Sequence, residues 1–353
     1  MSAVFLVLML ASTSAKAVDT SLLEEAMPEE AGEYVGISPE SGDLDEGLKG
    51  LGKGFVSLFR TSLKGSVAEG FLILSIASAG GLLLTFSYVS GSVVFKKAVE
   101  TACICAVTAL CISGASGVLE SCASAIDRFG MFSSALIPVY AAAVAVSGSP
   151  LSAVSTASAT LIFSNILIFV SAKLFVPMIY LHIVLNAVGN ISESGVISGL
   201  SGFFKKVSLG FFKYFLMLYT GYITLSGLIS SGTDAVTLKT AKVTISGSVP
   251  VLGSIVSDVS ETMLSGASVL KNAVGIYGFI GAAAICLVPF VAVLVKVMVF
   301  KLLAVFSSSL CGGRLQKLLD DICDSYSIAL GLLGTCCAIQ FLSFVISSTV
   351  IKT

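Results

Sequence analysis

The sequence predicts an all-α, polytopic helical membrane protein, and three observations carry that prediction. Of 353 residues, 56% are hydrophobic and only 12% are charged, against about 25% charged residues in soluble domains. The mean hydropathy is +1.01. The stretches Phe71–Phe95, Phe129–Ala172, Tyr214–Thr233, Asn272–Val295 and Ser325–Ile351 contain no Asp, Glu, Lys or Arg. Crossing the hydrocarbon core takes about 20 apolar residues, and in lipid only helices and closed barrels satisfy their backbones. The runs are continuous rather than alternating, which selects helices over a barrel.

At the N-terminus, Met1–Ala11 is apolar and leads to Ala15-Lys16-Ala17, an A-x-A-like site. Residues 1–17 therefore read as a signal peptide, although no Lys or Arg precedes the apolar core. Val18–Leu48 carries ten acidic residues and no basic ones. Such a composition cannot bury a core, so 18–48 is expected to be a disordered exported segment. Over 49–69, Lys49, Lys53, Arg60 and Lys64 share one side of a helical wheel, opposite Leu48, Leu51, Phe55, Leu58 and Phe59. This is the pattern of an interfacial helix with its basic face toward headgroups. Gly50, Gly52 and Gly54 weaken that helix. Gly47 and Gly52-Lys53 approach a phosphate-loop spacing, but Gly54 stands where the magnesium-binding hydroxyl belongs and no strand precedes it, so nucleotide binding is rejected.

The predicted spans are 71–94, 98–119, 131–147, 151–171, 174–190, 209–231, 273–295 and 326–349. They amount to about eight, within a range of roughly six to nine, since the long uncharged run divides only at Ser147-Gly148-Ser149-Pro150. Residues 70–231 thus form a bundle of about six spans and 273–353 a C-terminal region of about two, with a cytoplasmic segment near 311–325. If the signal exports the tail, Lys96, Lys97, Lys205, Lys206, Lys213, Lys296, Lys301, Arg314 and Lys317 fall on the cytoplasmic side. Only Arg128, Lys173 and Lys352 fall in the short outer segments, which follows the positive-inside rule. Lys53, Arg60 and Lys64, outside and near the first span, run against it.

Polar groups at membrane depth are functional candidates. Glu100 lies at the start of its span, and Asn165, His182, Asn186 and Gln340 lie deeper. His182 and Asn186 are four apart and share a helix face, so they are candidate intramembrane polar contacts. Hydrogen bonding between helices accounts for them, with a proton relay or substrate contact as the sharper alternative. No Asp or Glu lies deep in a predicted span, which argues against an ion-coupled pump. Pro138, Pro177 and Pro289 break helical hydrogen bonds inside spans. Small residues over 98–160 favour close packing in a compact bundle or a homo-oligomer. The nine cysteines form no CxxC pair and there is a single His, so no metal site is expected and no cofactor is implied. A net charge of −1 gives no pull toward nucleic acid.

Residues 232–272 form a polar insert between uncharged runs. Ser248 is placed to cap a helix and Pro250 suits its first turn. Leu252, Ile255, Val256, Val259 and Met263 follow at helical spacing, so an amphipathic helix packs here on a partner, the bundle or the membrane surface. Pro250, Val251, Leu252, Ile255 and Val259 are the candidate partner-binding residues.

The stretch KVTISGSVPVLGSIVSDVSET over 242–262, followed by a kinked span, resembles the stage III sporulation protein AE family of endospore-forming bacteria. Residues 302–325, with Arg314-Leu315-Gln316-Lys317 and Asp320-Asp321, resemble its C-terminal part, while Cys311-Gly312-Gly313 departs from it where a proline is expected. The resemblance implies a protein of the mother-cell membrane around the forespore. It also implies an assembly with a cytoplasmic ATPase, ring-forming bitopic proteins and a forespore partner, similar to a secretion apparatus. It brings no catalytic residues. Three functions are therefore weighed. A non-enzymatic subunit of a sporulation channel is expected. An independent small-molecule permease with a site near the kinked spans is the alternative. An enzyme would need converging acid, base or metal ligands, and the sequence offers none.

Overall fold

The computed structural model describes residues 25, 27–36, 43–146, 151–192, 195–225, 273–311 and 313–350. Among the described residues the fold is all-helical. The helices are α1 (Glu29–Val35), α2 (Leu44–Ser90), α3 (Val93–Val146), α4 (Leu151–Ser192), α5 (Gly195–Leu225), α6 (Ala273–Cys311) and α7 (Gly313–Val350). Five of them, α2, α3, α4, α6 and α7, are long and apolar enough to cross a membrane. The described part of α5, which holds residues 209–225 of the predicted span 209–231, is not among those five.

The predicted spans join into fewer helices. Spans 98–119 and 131–147 are one helix of 54 residues, α3, and 151–171 and 174–190 are one helix, α4. The charges that separated them, Asp127, Arg128 and Lys173, stand inside these helices and do not stop them. Pro177 and Pro289 lie inside α4 and α6 without ending them. At 1.5 Å per residue α3 runs about 80 Å, well beyond a hydrocarbon core of about 30 Å, so part of it stands outside the bilayer.

Two expectations about the N-terminal region are revised. The 49–69 helix is not a separate interfacial element but the first half of α2, continuous with the span 71–94. Asp43 caps it, accepting from the backbone N–H of Asp45 at 3.0 Å and of Glu46 at 3.2 Å. Within the acidic 18–48 segment, Glu29–Val35 is a helix whose Ala31 and Val35 are buried. Its apolar residues find cover on other helices, which composition alone does not register. The signal-peptide residues 1–17 and the insert 232–272, with Pro250, Val251, Leu252, Ile255 and Val259, lie outside the described residues.

Contacts fix the direction of each helix. Along α2, Gly47 meets Ile280, Gly70 meets Val299 and Leu303, and Gly81 meets Leu310, so α2 and α6 run parallel. Helix α7 returns along α6, with Lys301 bonded to Asp320, Phe300 against Tyr326 and Phe279 against Phe341. Helix α4 runs antiparallel to α7, and α5 parallel to it. The α6–α7 pair is the centre: 78% of the apolar window of α7 is buried, against 28% for α2. Outward, Phe71, Phe86, Phe169, Leu302 and Phe306 are exposed apolar side chains, the surface that lipid covers. The chain is a multi-pass membrane protein.

This arrangement places charged residues at both ends of the bundle. Lys96, Lys97, Lys205, Lys206, Lys301, Arg314 and Lys317 collect where α2 ends and α7 begins, through pairs such as Lys205–Asp324 and Arg314–Glu100. Arg128, bonded to Glu30 of α1, lies toward the other end, as do Lys49 and Lys53 in the first turns of α2. The last described residues of α5 and the first of α6 are also at that other end, as Tyr219–Ser343 and Gly47–Ile280 contacts require.

Candidate functional site

The predicted pair His182 and Asn186 sits in a polar node where α4, α5 and α7 meet. Helix α4 repeats a polar residue every four positions, His182, Asn186 and Asn190, and all three are buried. That spacing puts them on one face, and the face is turned to α7. His182 Nδ1 lies 2.7 Å from Ser325 Oγ. Asn186 Nδ2 donates to the carbonyl of Asp321 at 3.0 Å and lies 3.2 Å from His182 Nδ1. Asn186 Oδ1 accepts from Ser201 Oγ on α5. Asn190 Nδ2 donates to Asp321 Oδ2 at 2.8 Å and to the carbonyl of Asn186 at 2.9 Å. Two ion pairs flank the node: Lys205 to Asp324 at 2.6 Å, and Arg314 to Glu100 at 3.6 Å. Arg314 also donates to the carbonyl of Asn190 at 3.1 Å.

Sequence spacing singles out His182 and Asn186, and Asn190 continues the same series. Ser201, Asp321 and Ser325 carry no comparable signal. They sit on helices that composition does not pair with α4, and only the fold brings them to it.

Further along α7, Gln340 makes a second node. Its Nε2 donates to Ser133 Oγ at 2.6 Å, and Ser164 Oγ lies 3.2 Å from its Oε1. Tyr219 on α5 bonds Ser343 on α7. Ser325 and Gln340 are about 22 Å apart along the helix, and buried Ile328, Leu332, Cys336 and Ile339 lie between them in sequence. The nodes are therefore separate ties between helices. Asn165, the remaining deep amide, leaves its Oδ1 buried without a hydrogen-bond partner.

A third contact revises the expectation about acids in spans. Glu69 lies inside α2 and is paired with Lys296 of α6, both side chains largely buried. Lys296 also stands 5.7 Å from the centre of the Phe300 ring. Continuing α2 through 49–90 is what turns Glu69 from a flanking residue into an interior one.

Chemically the main node is a closed network. Ser325 and His182 form a hydroxyl–imidazole pair, but no carboxylate bonds the other ring nitrogen among the described residues, and both side chains are 2% exposed or less. Among the described residues no group of three or more His, Cys, Asp or Glu is arranged to hold a metal ion. Both side-chain polar atoms of Asn186 are used on neighbouring helices, so the arrangement positions α4 against α5 and α7.

The family described as "Stage III sporulation protein AE" matches residues 31–351. The protein named "Stage III sporulation protein AE" from Bacillus subtilis (strain 168) is 29% identical over 355 aligned residues, covering 98% of this chain and 88% of that one. No solved structure matches the chain.

Proposed function

The chain belongs to the stage III sporulation protein AE family, which gives it a role in sporulation, and on that premise we propose that it is a non-enzymatic subunit of a secretion-like channel between mother cell and forespore. It acts in assembly of the channel or as part of the conduit. Its membrane is the mother-cell membrane around the forespore, with α1 and the 232–272 insert on the non-cytoplasmic side. Its partners are a cytoplasmic ATPase and ring-forming bitopic proteins, and the insert residues Pro250, Val251, Leu252, Ile255 and Val259 meet one of them. Lys96, Lys97, Lys205, Lys206, Lys301, Arg314 and Lys317 at the opposite end favour that sidedness, while Lys49, Lys53, Arg60 and Lys64 in the N-terminal half of α2 run against it.

The observation that carries the non-enzymatic reading is the closure of the node at His182 and Asn186. Both side chains are buried, and His182 Nδ1 and the Asn186 amide are committed to partners on α5 and α7, which favours a role in holding helices together. A permease would need that node open. Replacement of His182 by Ala tests this in sporulating cells. We expect heat-resistant spores to fall only in proportion to any loss of protein from the membrane. Abolished spore formation at a natural protein level would favour the permease alternative.

A further inference from the structure

Helix α1 has seven residues, too few to stay helical alone in water. Its order comes from its seat. Ala31 and Val35 are each 2% exposed. Tyr34 lies against α2 where glycines leave the surface bare. A Cβ at Gly54 would stand 2.6 Å from Tyr34 Cδ1, and one at Gly50 would stand 2.7 Å from the Tyr34 carbonyl oxygen. On α6, a Cβ at Gly281 would stand 2.5 Å from Met27 Cε. Two of the three glycines that weaken α2 as a helix, Gly50 and Gly54, are thus the notch that receives α1, while Gly52 faces open space. The fit is by shape, as in small-residue helix contacts in membranes.

Beneath α1 is a pocket of about 150 Å³ between α3 and α6, lined among others by Glu30, Ser121, Ser124, Arg128, Ile285 and Pro289. Pro289 has no N–H to give the carbonyl of Ile285, four residues earlier. The lining therefore combines a helix carbonyl without its usual donor, two serines and a guanidinium. Over it, Glu30 and Arg128 pair at 2.9 Å with side chains 68% and 42% exposed. An ion pair that open to water holds weakly.

We propose that α1 is a displaceable cap, seated in the glycine notch of α2 and α6, that closes the polar pocket at Pro289 and lifts when the Glu30–Arg128 pair is broken. The cap is short, its outward residues Glu29 and Glu33 are charged and exposed, and its one ion pair is at the surface. Among the described residues it is held by the glycine notch, by Ala31 and Val35 with Met27 and Tyr34 beside them, and by that one exposed pair.

The test is thiol labelling of the full-length chain in detergent with a hydrophilic maleimide, read residue by residue by peptide mass. Val35→Cys reports the seat, Ser124→Cys the pocket and Glu33→Cys the exposed face. In the otherwise natural chain we expect positions 35 and 124 to react about tenfold more slowly than position 33, as a closed local structure requires. Adding Arg128→Glu should bring both near the rate of position 33, and the charge swap Glu30→Arg with Arg128→Glu should restore protection. Buried native Cys111 and Cys336 should stay unlabelled throughout, which shows that the bundle remains closed. Position 35 reacting as fast as position 33 in the natural chain would overturn the seat. Unchanged slow labelling in both Arg128→Glu and Gly54→Leu would overturn displacement, since α1 would then be a fixed part of the core.

Discussion

A single buried polar side chain in this bundle is held by partners far away in sequence. Lys296 and Glu69 are the clearest case, because each would be an unpaired interior charge without the other. Breaking such a pair from one side costs about 3–5 kcal/mol, while replacing both partners by uncharged groups costs far less. We therefore expect Lys296→Met to lower the thermal midpoint in detergent sharply, and Glu69→Gln with Lys296→Met to recover most of the loss. A double variant as unstable as the single one would remove the pair from the account of stability. At the α4–α7 node, Asn186→Ala removes one donor from the Asp321 carbonyl, which keeps Ser325 Oγ, and leaves Ser201 without its acceptor, a loss of about 1–3 kcal/mol read by the same midpoint. His182 and Asn186 were legible as a pair because helical spacing is local. Ser325, Asp321 and Ser201 were not, because a period reports which face a residue shares and not which helix that face meets.

The helices follow a rule that hydropathy only half reveals. Apolar runs mark where a helix meets lipid or core, and all five uncharged runs do overlap helices of the structure. They do not mark where a helix ends. Asp127, Arg128 and Lys173 interrupt the runs, yet α3 and α4 continue through them because exposed charges on a long helix cost little. The true ends carry local chemistry: Asp43 caps the start of α2, and Gly91, at φ 65°, closes its end in the left-handed conformation. Between α2 and α6 the approach is close enough that a Cβ at Gly81 would strike the backbone carbonyl of Leu310. Backbone cannot move aside as a side-chain tip can. Gly81→Val is expected to separate the two helices, seen as new maleimide labelling at buried Cys311 and Cys103 nearby. Protection of both thiols in that variant would contradict the α2–α6 contact.

At the scale of the whole molecule, the two ends differ in which helix termini emerge from them. Basic residues gather where α2 ends and α7 begins. The acidic α1 and both flanks of the 232–272 insert are at the opposite end. Single cysteines introduced at Asp43 and Thr224 should therefore react with an impermeant thiol reagent from the same side of the membrane, and one at Lys206 from the other. Reaction of Asp43→Cys and Thr224→Cys from opposite sides would contradict this arrangement of the helices. The class of fold was open to reading because lipid imposes it on composition directly. The insert, with its periodic Leu252, Ile255 and Val259, was the sequence's strongest pointer to a partner, and it is there that the proposed role in assembly rests. The most direct measurement is co-purification from sporulating cells, comparing the tagged natural chain with Val251→Asp, Leu252→Asp and Ile255→Asp combined, at equal levels in the membrane. The predicted result is recovery of a cytoplasmic ATPase and small bitopic proteins with the natural chain and their loss with the variant. Undiminished recovery with the variant, or no such partners with the natural chain, would contradict it.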